Sequence, residues 1–457
     1  MAKYTVGLDV GTTKIVAMVG TENQYGKLEI IGIGKAKSEG VSRGVVTNFA
    51  QTMQSIQAAV QQAEANAGGN LTITEVEVGI AGQHIHSTEF SDYIVREDPE
   101  KMIDFSDLEQ LRQRVLRMSM LPGEEIVHIL PQEYTVDDQE EVREPIGMAG
   151  SRLEAVFHVV LGQMFAIKNI GRCVTNIGLK LKGLTLEPLA SAAAVLSEEE
   201  KEAGVALIDI GGGTTDLAIF KDGIIRYTAV IPYGGNVITQ DIKEGCAILE
   251  KQAEALKIKF GSAWPESTRD NEIVSIPGLK GRDPKEISIT MLSRIIKARL
   301  EEIIQLVFNE IENYGHKDPK KQLIAGIVLT GGGSELKDIK QLVEYITGMD
   351  TRIGYPNEHL ASGTSEEITS PIYATSVGLV MTAIANEKEK LREEKLKRIY
   401  QTEHTSDDND KEVSSETKAS SDVASNISEP IEDKKSSKKF FGRGLLDKFK
   451  DFLDSAE

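Results

Sequence analysis

Excess positive charge, paired cysteines and long apolar runs are all missing from this 457-residue chain. Lys and Arg number 52 against 71 Asp and Glu, a net charge of −19, and a field of that sign argues against general nucleic-acid binding. The only cysteines, Cys173 and Cys246, form no Cys-x-x-Cys pair, so neither a zinc knuckle nor a disulfide framework is on offer and a reducing cytoplasm is expected. Behind Met1 there is no apolar stretch with a small-residue cleavage site, and no uncharged run of about 18 residues occurs anywhere. The expectation is a chain that is neither exported nor membrane-spanning. Its length implies two to four domains with cores large enough to need no metal or disulfide staple.

What is present, up to about residue 385, is an alternation of short β-rich runs with longer helical patterns, the mark of α/β layering. Within it one string occurs twice. Gly7-Leu8-Asp9-Val10-Gly11-Thr12-Thr13 returns as Leu207-Ile208-Asp209-Ile210-Gly211-Gly212-Gly213-Thr214-Thr215, which predicts two related halves. Each copy follows one β-branched run and precedes another, so each Gly-Thr segment reads as a hairpin turn between strands. A dinucleotide-binding or Walker loop leads instead from a strand into a helix.

Tight Gly-Thr turns present consecutive backbone N–H groups to phosphate oxygens, and the missing Cβ at glycine permits close approach. Two such turns facing one another would hold a triphosphate from both sides, through Gly11, Thr12, Thr13, Gly211, Gly212, Gly213, Thr214 and Thr215. Asp9 and Asp209, ending the preceding strands, would point into the same cleft. Carboxylates beside phosphate repel it, so the pattern calls for a hard cation such as Mg²⁺ between them. Lys14 either reaches phosphate or faces solvent along its strand. Two further glycine clusters are candidates for nucleotide contact. Gly331, Gly332, Gly333 and Ser334 are predicted to open a helix over 335–346, and Gly234, Gly235 and Asn236 precede a helix predicted over 237–243; simple helix capping accounts for either equally well. His84 and His86 would share a strand face, more naturally a solvent-facing pair than a metal site, since no third ligand is apparent.

The ordered set Asp-x-Gly-Thr-Thr, Asp-x-Gly-Gly-Gly-Thr-Thr-Asp and Gly-Gly-Gly-Ser resembles the two phosphate motifs and the adenosine motif of the superfamily that contains actin, sugar kinases and heat-shock chaperone ATPases. Glu187-Pro188-Leu189-Ala190-Ser191-Ala192-Ala193 and Pro371-Ile372-Tyr373-Ala374-Thr375-Ser376-Val377-Gly378 sit where that superfamily places two interdomain helices. Three more strings are similar to the FtsA family of bacterial cell-division proteins: Gly40-Val41-Ser42-Arg43-Gly44-Val45-Val46-Thr47-Asn48, Val78-Gly79-Ile80-Ala81-Gly82 and 144–153, Glu-Pro-Ile-Gly-Met-Ala-Gly-Ser-Arg-Leu. The resemblance spans about residues 3 to 385.

The resemblance implies an α/β, actin-like ATPase fold with two duplicated lobes around a central nucleotide cleft. It implies subdomain 1A at 1–82 and 163–203, an inserted 1C at 83–162, 2A at 204–245 and 324–400 with a closing helix, and 2B at 246–323. It further implies that Glu187 positions the attacking water, that Asp209 shares the catalytic role and that Asp9 and Asp209 act through Mg²⁺, while Glu254 and Lys257 contact the adenosine of ATP. Hydrolysis in this family is expected to be slow or absent. The family's partner would be the C-terminal tail of the tubulin-like FtsZ, received by 2B at Arg294, Lys297 and Arg299 on a helix read over 289–307. Later division proteins would bind 1C, and the chain would assemble into filaments. A sugar or acetate kinase would need a second polar pocket and a base for its acceptor, which the sequence does not offer. A chaperone ATPase would need a β-rich peptide-binding domain beyond 385.

Residues 402–437 carry no aromatic residue, nine serines, and ten acidic against four basic side chains. Such a stretch buries too little apolar area to offset its ordering entropy and reads as a disordered linker, over about 401–437. The last twenty residues, 438–457, restore large apolar side chains at helical spacing. With 100° allotted per residue from Phe441, the side chains of Phe452, Leu445, Phe449, Leu453 and Leu446 fall between about 20° and 140°, one continuous apolar arc. Seven basic residues lie between Lys434 and Lys450 against one acid, Asp447. A helix of this kind suits the interface of an anionic bilayer and is too short and charged to cross it. The competing account is a helix that docks on the globular body or on a partner; the family resemblance, which implies a C-terminal membrane-targeting helix, favours the membrane and implies a location on its cytoplasmic side, at the division septum.

Overall fold

Two five-stranded sheets with the same strand order and the same pattern of directions form the body of the protein. The first runs Leu28–Lys37, Lys14–Glu22, Thr5–Val10, Glu75–Ile80, Lys180–Leu186, and the second runs Ile224–Ile231, Thr215–Lys221, Val205–Ile210, Ile327–Thr330, Thr351–Ile353. In each, the first three strands pair antiparallel and the last two join parallel. The repeated string thus belongs to a repeated sheet, and its Gly-Thr segments are the hairpin turns that the flanking β-branched runs predict. The computed structural model describes residues 4–69, 71–268, 272–278, 283–315 and 319–392, all of them within one compact unit, Met1–Lys397. The expected linker and C-terminal helix lie outside the described residues.

Strand periodicity explains why the central strands are buried from end to end. Val6, Leu8 and Val10 enter the core of the first lobe, beneath the helices Phe49–Ala67 and Met164–Asn176, while Gly7 and Asp9 face the other way. In the second lobe Ala206, Ile208 and Ile210 enter its outer core, whereas Val205 and Leu207 join a third core shared between the lobes. That shared core contains Val16 and Met18 from the first sheet, Ala218 and Phe220 from the second, and residues of two helices sandwiched between them. One is Glu187–Val195, which follows the last strand of the first sheet. The other occupies 374–392 of the described residues. Full burial of a Leu, Ile or Met in such a layer contributes roughly 1.5–3 kcal/mol.

The two helices cross in contact. A Cβ at Gly378 would fall inside the carbonyl oxygen of Ala190, so bare backbone at that point sets the distance between them. Gly7 and Gly20 do the same for the helix at 374–392 on the first sheet, where added Cβ atoms would meet Val380 and its neighbours.

Two further parts decorate this body. Between the strands Glu75–Ile80 and Lys180–Leu186 lies a four-stranded antiparallel sheet, ordered Ile85–Val95, Arg152–Gln163, Glu124–Val136, Gln139–Val142, with the helix Phe105–Val115 against it and a core of its own. Between Ile224–Ile231 and Ile327–Thr330 come the helices Gly235–Cys246, Glu250–Phe260 and Ile289–Gly315 and a hairpin of Ile273–Ile276 with Lys285–Ser288. The helix predicted over 237–243 is longer at both ends. The one predicted over 335–346 begins later, because Gly332–Glu335 winds as a 3₁₀ turn and the α-helix spans Ile339–Thr347.

The crossing makes a direct prediction. Gly378→Ala should destabilise the protein by at least about 2 kcal/mol through overpacking. Gly171→Ala, where the new methyl would stand 3.6 Å from Leu181 in a helix interior, should stabilise it by about 0.5–1 kcal/mol. Urea unfolding midpoints of the two variants check both signs.

Candidate functional site

The two hairpin turns stand face to face. A Cβ added to Gly213 would be 2.5 Å from the Thr12 hydroxyl, and one added to Gly212 would meet the Thr13 hydroxyl, so only bare backbone allows the loops to approach this closely. Between and beyond them opens a cavity of about 970 Å³, a size suited to a cofactor or nucleotide. Asp9, Gly11, Thr12, Thr13 and Lys14 line it from the first lobe, with Glu187 beside them. Asp209, Gly211, Gly212, Gly213 and Thr214 line it from the second, and Gly331, Gly332 and Gly333 with Gly235, Asn236, Glu254 and Lys257 complete the wall.

Three of the expected contact residues are not on that wall. Thr215 is fully buried and its hydroxyl donates to the Tyr233 carbonyl at 2.9 Å. Ser334 donates to the Gly331 carbonyl at 2.7 Å. Gly234 is the N-cap of its helix and packs on the carbonyls of Gly211, Gly212 and Thr214. The amides of Gly235 and Asn236 are also engaged, each donating at 2.9 Å to Gly211 and Gly212, so this helix start braces the loop in front of it. Lys14 does not face solvent. Its ammonium donates to the Ile372 carbonyl and lies 4.8 Å from the centre of the Tyr373 ring. Glu254 accepts from the Thr239 hydroxyl and pairs with Lys257 at 2.7 Å.

Electrostatics set this cavity apart from the rest of the molecule. Burial raises the carboxyls of Asp9 and Asp209 above their usual range. Glu187 is pushed well above it, first by burial and then by Asp9, Asp216 and Asp209. Burial also lowers the Lys14 ammonium. Asp216 is the residue that sequence reasoning did not assign to the site. It stands directly across the hairpin from Asp209, lines the cavity, and burial followed by the Asp209 charge raises it to about 8. Like charges opposite one another in a sheet are destabilising, so the pairing has no structural merit. The signal was in the string: Asp209 lies two residues before Gly211 and Asp216 two after Thr214, equidistant from the turn.

Asp9, Asp209, Asp216 and Glu187 gather near Lys14, and over the whole lining seven acidic residues stand against four lysines, a deficit of positive charge. Asp216 Oδ1 has no hydrogen-bond partner although buried, and buried polar atoms are ordinarily satisfied. Both observations fit a divalent cation arriving with phosphates. Among the described residues no three ligand-type side chains converge on one point. Gly331 is held at φ 78°, and a side chain there would run into Asp209 Oδ1. The loop that carries it therefore has to be glycine.

Elsewhere, expected groupings separate. His84 precedes the strand and is buried, while His86 is exposed on the strand near Glu124 at 3.5 Å, so they form no metal pair. Arg294 and Lys297 line a groove of about 360 Å³ with Pro265, Glu266, Thr290, Ala298 and Glu301. Arg299 does not join them. It turns about the helix to bind both carboxylate oxygens of Asp241, at 2.6 and 3.0 Å, and also Glu302. The 100° step per residue puts it far around the helix from Arg294 and Lys297.

Comparison with known proteins places this geometry in a family. A family model for "Cell division protein FtsA" matches residues 206–378, and one for "SHS2 domain inserted in FTSA" matches 82–161, the stretch that holds most of the four-stranded antiparallel sheet. The PilM subunit architecture in a solved "PilM-PilN type IV pilus biogenesis complex" is similar in fold, with a TM-score of 0.61 at 15% identity over 84% of this chain and 99% of that one. The fold is that of the actin-like ATPases, two duplicated α/β lobes about a central cleft. Cell division protein FtsA of Escherichia coli K12 is 34% identical over 382 residues, covering 83% of this chain and 90% of the relative. FtsA of Pseudomonas aeruginosa PAO1 is 40% identical over 387 residues, 85% of this chain and 91% of the relative. With that identity over nearly the full length of its relatives, the chain belongs to the FtsA family of cell-division proteins.

Proposed function

We propose that this chain is an ATP-binding actin homologue that self-associates into filaments and holds the FtsZ ring at the cytoplasmic face of the membrane during division. The observation that carries the nucleotide part is the meeting of the two Gly-Thr turns over one acidic cavity. Backbone N–H groups of the turns take the phosphates, Lys14 adds a cation beside them, and the glycines 331–333 with Glu254 and Lys257 hold the nucleoside end. A bound Mg²⁺ would neutralise phosphate charge between Asp9, Asp209 and Asp216 and polarise the terminal phosphoryl group. Glu187 is placed to orient water, yet burial and three neighbouring carboxylates favour its protonated form. That shift belongs to the nucleotide-free cleft, and a bound cation would act against it; slow hydrolysis, with nucleotide acting chiefly as a conformational ligand, is part of the same proposal.

The division into subdomains 1A, 1C, 2A and 2B is part of the same reading, with the inserted antiparallel sheet as the surface for later division proteins. The groove lined by Arg294 and Lys297 is the proposed seat of an acidic FtsZ tail, which would compete with Glu266 and Glu301 for Lys297. Arg299, expected at the same seat, pairs with Asp241 on another side of the helix that carries all three. Among the described residues no helix is long and apolar enough to cross a membrane. Membrane attachment is assigned, on the apolar arc of their sequence, to Phe441, Leu445, Leu446, Phe449, Phe452 and Leu453, as a peripheral contact.

Gly332→Val tests the cleft without disturbing the fold, since the nearest atom to an added Cβ is 3.8 Å away on Ile372. Its unfolding midpoint should stay unchanged while ATP affinity drops at least about a hundredfold in calorimetric titration, roughly 2.7 kcal/mol. An unchanged affinity would remove the nucleotide assignment.

Asp216 gives a pH test of the nucleotide-free protein. Its folded value of about 8 lies above the ordinary 3.8, so the folded state holds the proton more tightly. That contribution to stability is complete below about pH 4 and is lost as pH rises towards 8. Asp216→Asn should flatten this slope and raise stability at pH 8 by about 1 kcal/mol or more, read from chemical denaturation across the window.

For the tether, Phe449→Glu should abolish flotation with anionic vesicles while ATP binding persists. Continued flotation would point to another anchor.

A further inference from the structure

The acidic groups of the cleft are held by hydroxyls that come from the hinge. Asp209 Oδ2 accepts from the Ser191 hydroxyl at 2.7 Å and from Thr375 at 3.2 Å, and these two hydroxyls are 3.0 Å apart. Across the cleft Asp9 Oδ2 accepts from the Ser376 hydroxyl at 3.0 Å. Ser191 and Ser376 are fully buried, where an unneeded hydroxyl costs stability. Their position in the chain is as telling as their bonds. Ser191 lies next to Ala190 and one turn beyond Glu187, while Thr375 and Ser376 lie within a turn of Gly378, and it is Ala190 and Gly378 that make the helix crossing. The same turn of each helix therefore sets the angle between the lobes and grips the carboxylates.

We propose that Ser191, Thr375 and Ser376 are positioning residues that fix Asp9 and Asp209 for a divalent cation and tie loading of that cation to the angle at which the two helices cross. This rests on the cleft being a nucleotide site. Each hydroxyl occupies one oxygen of its carboxylate and so orients the other, since an ionised carboxylate offers acceptor sites on both. A hydroxyl that moves with its helix carries the carboxylate with it. Conversely, a cation that fixes the carboxylates fixes the crossing, and bonds to a charged acceptor are strong enough to transmit this, at about twice the strength of neutral ones.

The test uses the full chain and ATP titrated in the presence of Mg²⁺ or of EDTA. Ser191→Ala, Ser376→Ala and the isosteric Thr375→Val should each weaken Mg²⁺-ATP binding about tenfold and leave ATP binding in EDTA within about twofold, whereas Thr375→Ser should retain the wild-type Mg²⁺ dependence. Hydrogen exchange gives the second readout. In the wild type, Mg²⁺ should slow exchange in 187–195 and 374–392 beyond the effect of ATP alone, and in the variants this extra protection should vanish. Equal losses with and without Mg²⁺, or unchanged protection, would overturn the proposal while leaving the nucleotide site intact. Absence of ATP binding by the wild-type protein would instead overturn the reading of the cleft itself.

Discussion

Repulsion among buried carboxylates is the constraint around which this molecule is arranged. Asp9, Asp209, Asp216 and Glu187 are drawn into one cavity by strand ends and a helix start that converge from both lobes, and the lysines that line it are outnumbered by its acidic residues. No packing advantage accounts for that concentration, since an apolar residue at any of these positions would be easier to bury. The stability lost here is recovered in the three cores around it, most of all in the shared one, where Val16, Met18, Leu207 and Ala218 close on the two crossing helices. A ligand that brings positive charge, as proposed for this cleft, would relieve that repulsion.

Duplication explains how the cluster comes about. Each sheet supplies a hairpin whose turn is too small to carry side chains, and each preceding strand ends in an aspartate on the inward face. Because alternation sends Leu8 and Ile208 outward to separate cores, the aspartates one residue later must face the shared interior. The helix following the first sheet lies against the second, and the one at 374–392 lies on the first, as the close approaches of Gly354 to Val195 and of Gly7 to Leu379 show. Each lobe thus holds an element of the other's chain, and any rotation between the lobes turns the two helices about Gly378.

Much of this was readable before any coordinates, for a physical reason. Repeats, glycine turns and β-branched runs are local signals, and both hairpins with their facing roles follow from strings of about nine residues. Asp216 was equally local but went unassigned, because its place in the site depends on register across the turn rather than on the string alone. The parts that escaped depend on packing. Lys14 is held by the 371–373 segment, more than 350 positions away, which folds over it. His84 looked like the partner of a strand neighbour and is instead sealed in where the strand begins. Arg299 is charged and on the expected helix, but Asp241, from a helix earlier in the chain, decides which way it points. A linear sequence states the charge of such a residue and leaves its partner open.

The hydroxyls at the crossing show the same division of labour in another form. Serine and threonine inside helices are ordinarily weak choices, because they compete with the backbone for hydrogen bonds. Ser191 and Ser376 are wholly buried within helices and spend their donors on aspartates instead of their own carbonyls. Alanine would serve the helices better at both positions, and Ala190, Ala192 and Ala374 nearby show that alanine packs well there. The hydroxyls therefore answer to the cleft rather than to the helices. The proposed coupling of cation loading to the helix crossing needs only these small polar side chains, held within a core that is otherwise apolar.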